Sequence, residues 1–170
     1  CHNNLAPTTS SSCHLASGDA IAMTLQKIKG FSPSDFSNYH PSGNLGKKLS
    51  LKLNNLTDHN RIPLVKLSST FFEIIDEISS YMYGATAVID SNKIIGVITD
   101  GDIRRIIKKK HNINNVFASD LMNNNPKVLS EDTLAYDALG VMKKNNISQV
   151  LVTDKNQAYK GVVHILDIIK

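Results

Sequence analysis

Two stretches of this chain repeat one another, and a sequence that repeats at this length must fold as paired or stacked copies of one unit. The first unit reads Ile62-Pro63-Leu64-Val65, then an amphipathic stretch, then Ala85-Thr86-Ala87-Val88-Ile89-Asp90, then Gly96-Val97-Ile98-Thr99-Asp100-Gly101-Asp102-Ile103. The second reads Asn125-Pro126-Lys127-Val128-Leu129, a second amphipathic stretch, Ser148-Gln149-Val150-Leu151-Val152-Thr153-Asp154, then Gly161-Val162-Val163-His164-Ile165-Leu166-Asp167. Pro63 and Pro126 lie 63 residues apart, and Gly96 and Gly161 lie 65 apart. Two anchors sharing nearly one offset set the register of the repeat.

Each unit carries the same local pattern. Phe71, Ile74, Ile75, Ile78 and Met82 recur at spacings of three and four, which puts one apolar face on a helix over 70–82. Leu134, Ala138, Leu139 and Met142 do the same over 133–145. Ser68-Ser69-Thr70 and Ser130-Glu131-Asp132-Thr133 stand where helix caps are needed. After each helix come two β-rich runs separated by a polar turn. One such unit cannot bury its sheet alone, so the two are expected to pack sheet to sheet about a pseudo-two-fold axis, giving an α/β fold.

The run from Gly96 through Thr99 to Asp102 is a strand–turn–helix corner. It sets a hydroxyl and a carboxylate beside free N–H groups at a helix start, where a phosphate and a ribose diol find partners. Helix capping by Asp100 or Asp102 is the plainer alternative.

With these residues in view, the pair resembles a tandem CBS module, also called a Bateman module. Its motif is glycine, a hydrophobe, any residue, Ser/Thr, two residues, then Asp. Gly96, Thr99 and Asp102 match it fully; Gly161 and Asp167 match the second copy, with His164 where Ser/Thr is expected. The resemblance implies nucleotide-type ligands at Gly96, Thr99 and Asp102, and at His164 and Asp167 with the histidine as an unusual contact. It also implies ligand contacts at Ser68 and Asp120, against capping and an ordinary surface acid as the alternatives.

Residues 1–55 lie outside the repeat. Leu5-Ala6-Pro7-Thr8-Thr9-Ser10-Ser11-Ser12 leads into a helix that Gly30 can end, and Ser32-Pro33 opens another. The loop Tyr39-His40-Pro41-Ser42-Gly43-Asn44-Leu45-Gly46-Lys47-Lys48 follows, with His40 biased away from helix by Pro41. A loop histidine by itself is more often incidental than catalytic.

These segments followed by two CBS-like repeats resemble the arabinose-5-phosphate isomerases of the sugar-isomerase (SIS) superfamily. The resemblance implies interconversion of D-ribulose 5-phosphate and D-arabinose 5-phosphate, on the route to the octulosonate of lipopolysaccharide or capsule. It implies a catalytic role for His40, in ring opening or proton transfer. Ser42 and His2-Asn3-Asn4 depart from the common pattern. The chain opens on Cys1 rather than Met, and the resemblance places the catalytic lysine and glutamates upstream, so it is expected to be the control end of the enzyme and inactive alone. The expected organisation is an SIS remnant and linker over 1–55, repeat one over 56–115 and repeat two over 116–170. Expected partners are a sugar phosphate for the intact enzyme, a nucleotide or CMP-sugar at the repeats, and a further copy of the chain. A generic adenosine-nucleotide module or a purely oligomerising one are the alternatives.

Composition narrows the rest. The 170 residues are 41% hydrophobic and 20% charged, a globular balance. No apolar run reaches the roughly 18 residues that span a bilayer. With no signal segment at its start either, the chain is expected to be cytoplasmic and free of membrane. The net charge of +4 comes from scattered cations apart from Lys108-Lys109-Lys110, and no aromatic–basic interleaving supports nucleic-acid binding. Cys1-His2 and Cys13-His14 lack compact ligand spacing, so no metal and no cofactor are expected.

Overall fold

A computed structural model describes residues 3, 5–40, 49–109 and 112–169. Residues 1, 2, 4, 41–48, 110, 111 and 170, and with them the sequence readings at His2, Asn4 and Ser42, lie outside the described residues. The chain divides into two units, 1–50 and 51–170.

In the first unit, α1 spans Thr9–Ile28 and none of its residues is buried within this chain. It ends in a Schellman arrangement. Gly30 takes φ +62, its N–H bonds Lys27 O, and the Phe31 N–H bonds Gln26 O at 3.0 Å. Ser32 then caps α2 (Pro33–Tyr39) in a reciprocal box: Asp35 N–H donates to Ser32 Oγ, and Ser32 N–H donates to the Asp35 carboxylate at 2.8 Å. The Ser32 hydroxyl also donates to the Asp35 carboxylate at 2.7 Å, and this bond, then that of the Ser32 N–H, holds the Asp35 carboxyl below its ordinary range.

The second unit holds the two repeats. Repeat one runs β1 (Leu64–Lys66), α3 (Phe71–Tyr81), β2 (Ala85–Asp90), β3 (Lys93–Thr99) and α4 (Asp100–Lys109). A short helix α5 (Ala118–Leu121) precedes repeat two, which runs β4 (Val128–Ser130), α6 (Ala135–Asn145), β5 (Gln149–Thr153), β6 (Tyr159–His164) and α7 (Ile165–Ile169). Each sheet has three strands, ordered β1-β2-β3 and β4-β5-β6, with the first pair parallel and the second antiparallel. Ser91 and Asn92 both take positive φ, the backbone of a two-residue type I′ hairpin.

Each helix packs on one face of its own sheet. Phe71, Ile74 and Ile78 of α3 meet Val88 and Ile98; Ala138 and Met142 of α6 meet Val150, Val152 and Val163. The other faces meet each other through Ala87, Leu151 and Val162, with Tyr83, Val97 and Tyr159 around them. The expected sheet-to-sheet pairing is therefore present.

The segments leading into the two repeats exchange. Residues 51–54 run into repeat two, where Leu53 is fully buried against Met142 and Val150. Residues 116–121 run into repeat one, where Val116, Ala118 and Leu121 join the core of Phe71 and Ile74. The backbone bonds match. Ala118 N–H donates to Ser69 O, Ser119 N–H to Leu67 O and Phe71 N–H to Val116 O; Leu53 N–H donates to Thr133 O, Asn54 N–H to Glu131 O and Ala135 N–H to Leu51 O.

The exchange serves both helix starts alike, through Phe71 N–H to Val116 O and Ala135 N–H to Leu51 O, and their side-chain caps differ. Thr70 caps α3 by accepting from Glu73 N–H, as the hydroxyl cluster suggests. The corresponding cluster does not cap α6, whose N-cap is Leu134 with no side-chain bond. There the Leu51 carbonyl, 2.7 Å from Ala135 N, supplies the acceptor.

The exchange explains the paired glycines. Asn123 pairs with Val97 on β3, so the second lead-in passes directly over Gly96. A Cβ on Gly96 would stand 2.8 Å from Met122 Sδ and 3.0 Å from its Cβ; one on Gly161 would stand 2.9 Å from Thr57 Cγ2.

Two stability predictions follow from this packing. Thr86 is fully buried with no hydrogen-bond partner for its hydroxyl among the described residues, on the strand position where repeat two has Val150. Thr86→Val should stabilise by about 1 kcal/mol, read as a higher denaturant midpoint at unchanged slope. Leu53→Ala should destabilise by about 3 kcal/mol, because it opens a cavity in the core of repeat two. A loss under about 1 kcal/mol would mean that the exchanged segment does not hold that core.

Candidate functional site

The corner after β3 and the segments around β4 and β5 enclose a cleft of about 510 Å³ between the repeats. Repeat one supplies Ala85, Val97, Thr99, Asp102 and Arg105. The lead-in to repeat two supplies Asn123, Asn125, Pro126 and Lys127, and the turn after α6 supplies Asn145, Asn146 and Ile147. Gln149 and Leu151 of β5 complete the wall. The reason for this convergence is the exchange: the second lead-in crosses β3 and so reaches the corner of the other repeat.

The corner is locally built. Asp102 sits in the first turn of α4, so its carboxylate reaches back to the end of β3. One oxygen accepts from Thr99 N–H at 2.9 Å and from the Thr99 hydroxyl at 2.6 Å. The other accepts from the Arg105 guanidinium, one turn along the helix. The Asp102 side chain is 15% exposed and that of Arg105 66%. The acid is thus held in place while the cation is able to swing. With Lys127, the lining carries two cations against one carboxylate. Amide side chains offer donors and acceptors above an apolar floor of Ala85, Val97, Ile147 and Leu151. Such a cleft suits a flat polar ring, a hydroxylated linker and a phosphate.

Gln149 is pinned. Its Nε2 donates to Tyr83 O at 2.9 Å, which fixes its Oε1 as the remaining acceptor.

The expected site residues divide. Thr99 and Asp102 line the cleft together. Gly96 is buried beneath Met122, where it permits the crossing rather than lining the cleft. Ser68 is exposed in the turn after β1, outside the cleft lining. Asp120 accepts from Phe117 N–H at 3.1 Å, just as Asn55 accepts from Lys52 N–H at the other lead-in. Its observed bond is a cap. His164 and Asp167 form the dyad-related corner on the other side: Asp167 accepts from His164 N–H, and His164 Nδ1 accepts from Leu166 N–H at 3.1 Å. That histidine nitrogen is occupied as an acceptor. His40 is exposed in the first unit, at the C-cap of α2, with its ring 4.8 Å from that of Phe36.

Arg105, Lys127, Asn146 and Gln149 were not among the sequence candidates. Arg105 was accessible in principle, one helical turn from Asp102 in a fully matched motif. The others come from the opposite repeat, and only the dyad brings them near.

The comparisons follow this division. The chain is 38% identical over 168 residues to the arabinose 5-phosphate isomerase KpsF of Escherichia coli, covering 98% of this chain and 51% of that protein. It is 40% identical over 171 residues to the arabinose 5-phosphate isomerase KdsD of Francisella tularensis subsp. tularensis, covering 100% of this chain and 52% of that one. The chain thus spans about half the length of these curated relatives. Among solved structures, the CBS domain protein PAE2072 from Pyrobaculum aerophilum, complexed with AMP, superposes with a TM-score of 0.63 at 20% identity over 69% of this chain and 89% of that one. CBSX2 from Arabidopsis thaliana, also solved in complex with AMP, gives 0.59 at 18% identity over 71% of this chain and 94% of that one. No helix among the described residues is long and apolar enough to cross a membrane. The CBS domain family matches residues 57–109 and 118–170, and with both sheets, both helices and the crossed lead-ins in place, the chain belongs to that family as a tandem pair.

Proposed function

We propose that residues 51–170 are the nucleotide-binding control module of an arabinose-5-phosphate isomerase, and that the cleft at Thr99 and Asp102 is where the nucleotide binds. The observation that carries this reading is the corner itself: a fixed carboxylate and hydroxyl at a helix start, flanked by Arg105 and Lys127 across an otherwise amide-lined cleft. Asp102 accepts from a ribose hydroxyl. Arg105 turns from Asp102 to the phosphate, Lys127 approaches that charge from the other repeat, and the base lies on the apolar floor. AMP in PAE2072 and CBSX2, and the relatives KpsF and KdsD, support this reading. A CMP-activated sugar is the more elaborate ligand of the same chemistry.

Residues 1–50 belong in this proposal to the sugar-isomerase part of the enzyme. Aldose–ketose isomerisation moves a proton between neighbouring carbons and needs a base beside the sugar. His40 contributes to that step in the intact protein, and the chain alone does not turn over. The enzyme works in the cytoplasm as a homo-oligomer.

Thermal melting with AMP, ATP, CMP and a CMP-sugar tests the module. At least one should raise the midpoint, Asp102→Ala should abolish the shift, and Arg105→Ala should weaken binding by about tenfold, the loss of one charge-assisted hydrogen bond. No shift with any of them would favour the oligomerising alternative. For the enzyme, the full-length protein should convert D-ribulose 5-phosphate to D-arabinose 5-phosphate, and His40→Ala should lower kcat. Full activity in that variant would remove His40 from the mechanism.

A further inference from the structure

The pseudo-two-fold that builds the first cleft must also generate a second one, bounded by Val162, His164 and Asp167 on β6 and α7. Its opposite wall is the turn after α3, Tyr81-Met82-Tyr83, the counterpart of Asn145-Asn146-Ile147. The correspondence is structural: Met82 and Asn146 are both left-handed helix C-caps, at φ +57 and φ +51. The lead-ins correspond too, since Thr57 covers Gly161 as Met122 covers Gly96.

Three differences separate the two halves. The lead-in of repeat one takes six steps from Thr57 to Pro63, where that of repeat two takes four from Met122 to Pro126. The two extra residues let Arg61 reach across. Its carbonyl lies 3.9 Å from the position of a Cβ on Gly161, while its guanidinium donates to Tyr81 O and lies 5.2 Å over the Tyr83 ring. Secondly, Tyr83 replaces Ile147 with a larger ring. Burial pushes its phenol up, the Arg61 cation opposes, and the nearby carboxylates of Asp58 and Asp167 push the same way as burial. Thirdly, Tyr159 donates to Pro63 O at 2.9 Å and ties the lead-in down.

We infer that Arg61 is a built-in occupant of the second cleft, its guanidinium stacked on Tyr83 and bonded to the end of α3, so that the pair takes a single ligand at the Thr99–Asp102 corner. The electrostatics agree. The first cleft presents two cations and one carboxylate to an incoming phosphate. The carboxylates of Asp58 and Asp167 lie near Tyr83, on whose ring Arg61 stacks, and they repel a second anion there. The stoichiometry rests on the nucleotide reading above; the occupancy by Arg61 does not.

Two measurements separate these claims. Calorimetric titration of the full chain with AMP should give one site per chain, removed by Asp102→Ala; two sites per chain would overturn the single-ligand inference. An absence of binding would count against the nucleotide reading instead, and the second measurement then decides the occupancy without a ligand. In a background with Cys1 and Cys13 changed to serine, Val97→Cys reports the first cleft and Val162→Cys the second. A small thiol reagent should modify the Val97→Cys protein at least about tenfold faster. Adding Arg61→Ala, or Tyr83→Ile as an independent opening, should bring the Val162→Cys rate up towards it. Equal rates at the start, or no acceleration by either opening in proteins whose circular dichroism is unchanged, would overturn the occupancy.

Discussion

The exchange of lead-in segments is the constraint on which the second unit depends. Each repeat lacks an acceptor for the first N–H of its helix and lacks part of its helix-side core. Each receives both from the segment that precedes the other repeat: Leu51 O and Leu53 in one direction, Val116 O with Ala118 and Leu121 in the other. An unpaired buried N–H costs about 1–3 kcal/mol, and each sheet alone would leave its inner apolar face in water. The two repeats therefore fold as one body, and their dyad is fixed by backbone hydrogen bonds as well as by the facing Ala87, Leu151 and Val162.

That same crossing creates the site. A segment that must run over β3 to reach the other core places Asn123, Asn125 and Lys127 beside Thr99 and Asp102. The proposed ligand site is thus a by-product of how the cores are completed. The glycines of the motif belong to this logic. Gly96 and Gly161 are required where the lead-ins press on the strands, at 2.8 and 2.9 Å from a notional Cβ. They serve the ligand only by allowing the crossing that forms the cleft.

Duplication also explains why the two sides differ. With the proposed ligand site at the corner of Thr99, Asp102 and Arg105, the other corner is filled by contacts within the protein. His164 turns its Nδ1 to the backbone of α7, Tyr159 ties Pro63, and Arg61 stacks on Tyr83. Of these contacts the Tyr159–Pro63 bond ties the two repeats together on one side, while the amide-lined cleft remains open on the other.

Much of this was written in local pattern. The period-three-and-four apolar residues marked α3 and α6, the β-rich runs and polar turns marked the hairpins, and the repeat offset demanded a paired α/β arrangement; the full motif at Gly96, Thr99 and Asp102 marked the corner whose Thr99 and Asp102 line the cleft. What the sequence could not reveal depends on residues distant in the chain. No local pattern shows that the first N–H of α6, at Ala135, is met by a carbonyl 84 residues away, that of Leu51. Likewise Lys127, Gln149 and Arg61 carry no local signature. The sequence by itself determined the repeated unit and the chemistry of one corner, because periodicity and short motifs act within a few residues. Only the tertiary structure decided which lead-in completes which core, which side chains join the corner and which cleft stays open, because those depend on the dyad that long-range hydrogen bonds and packing impose.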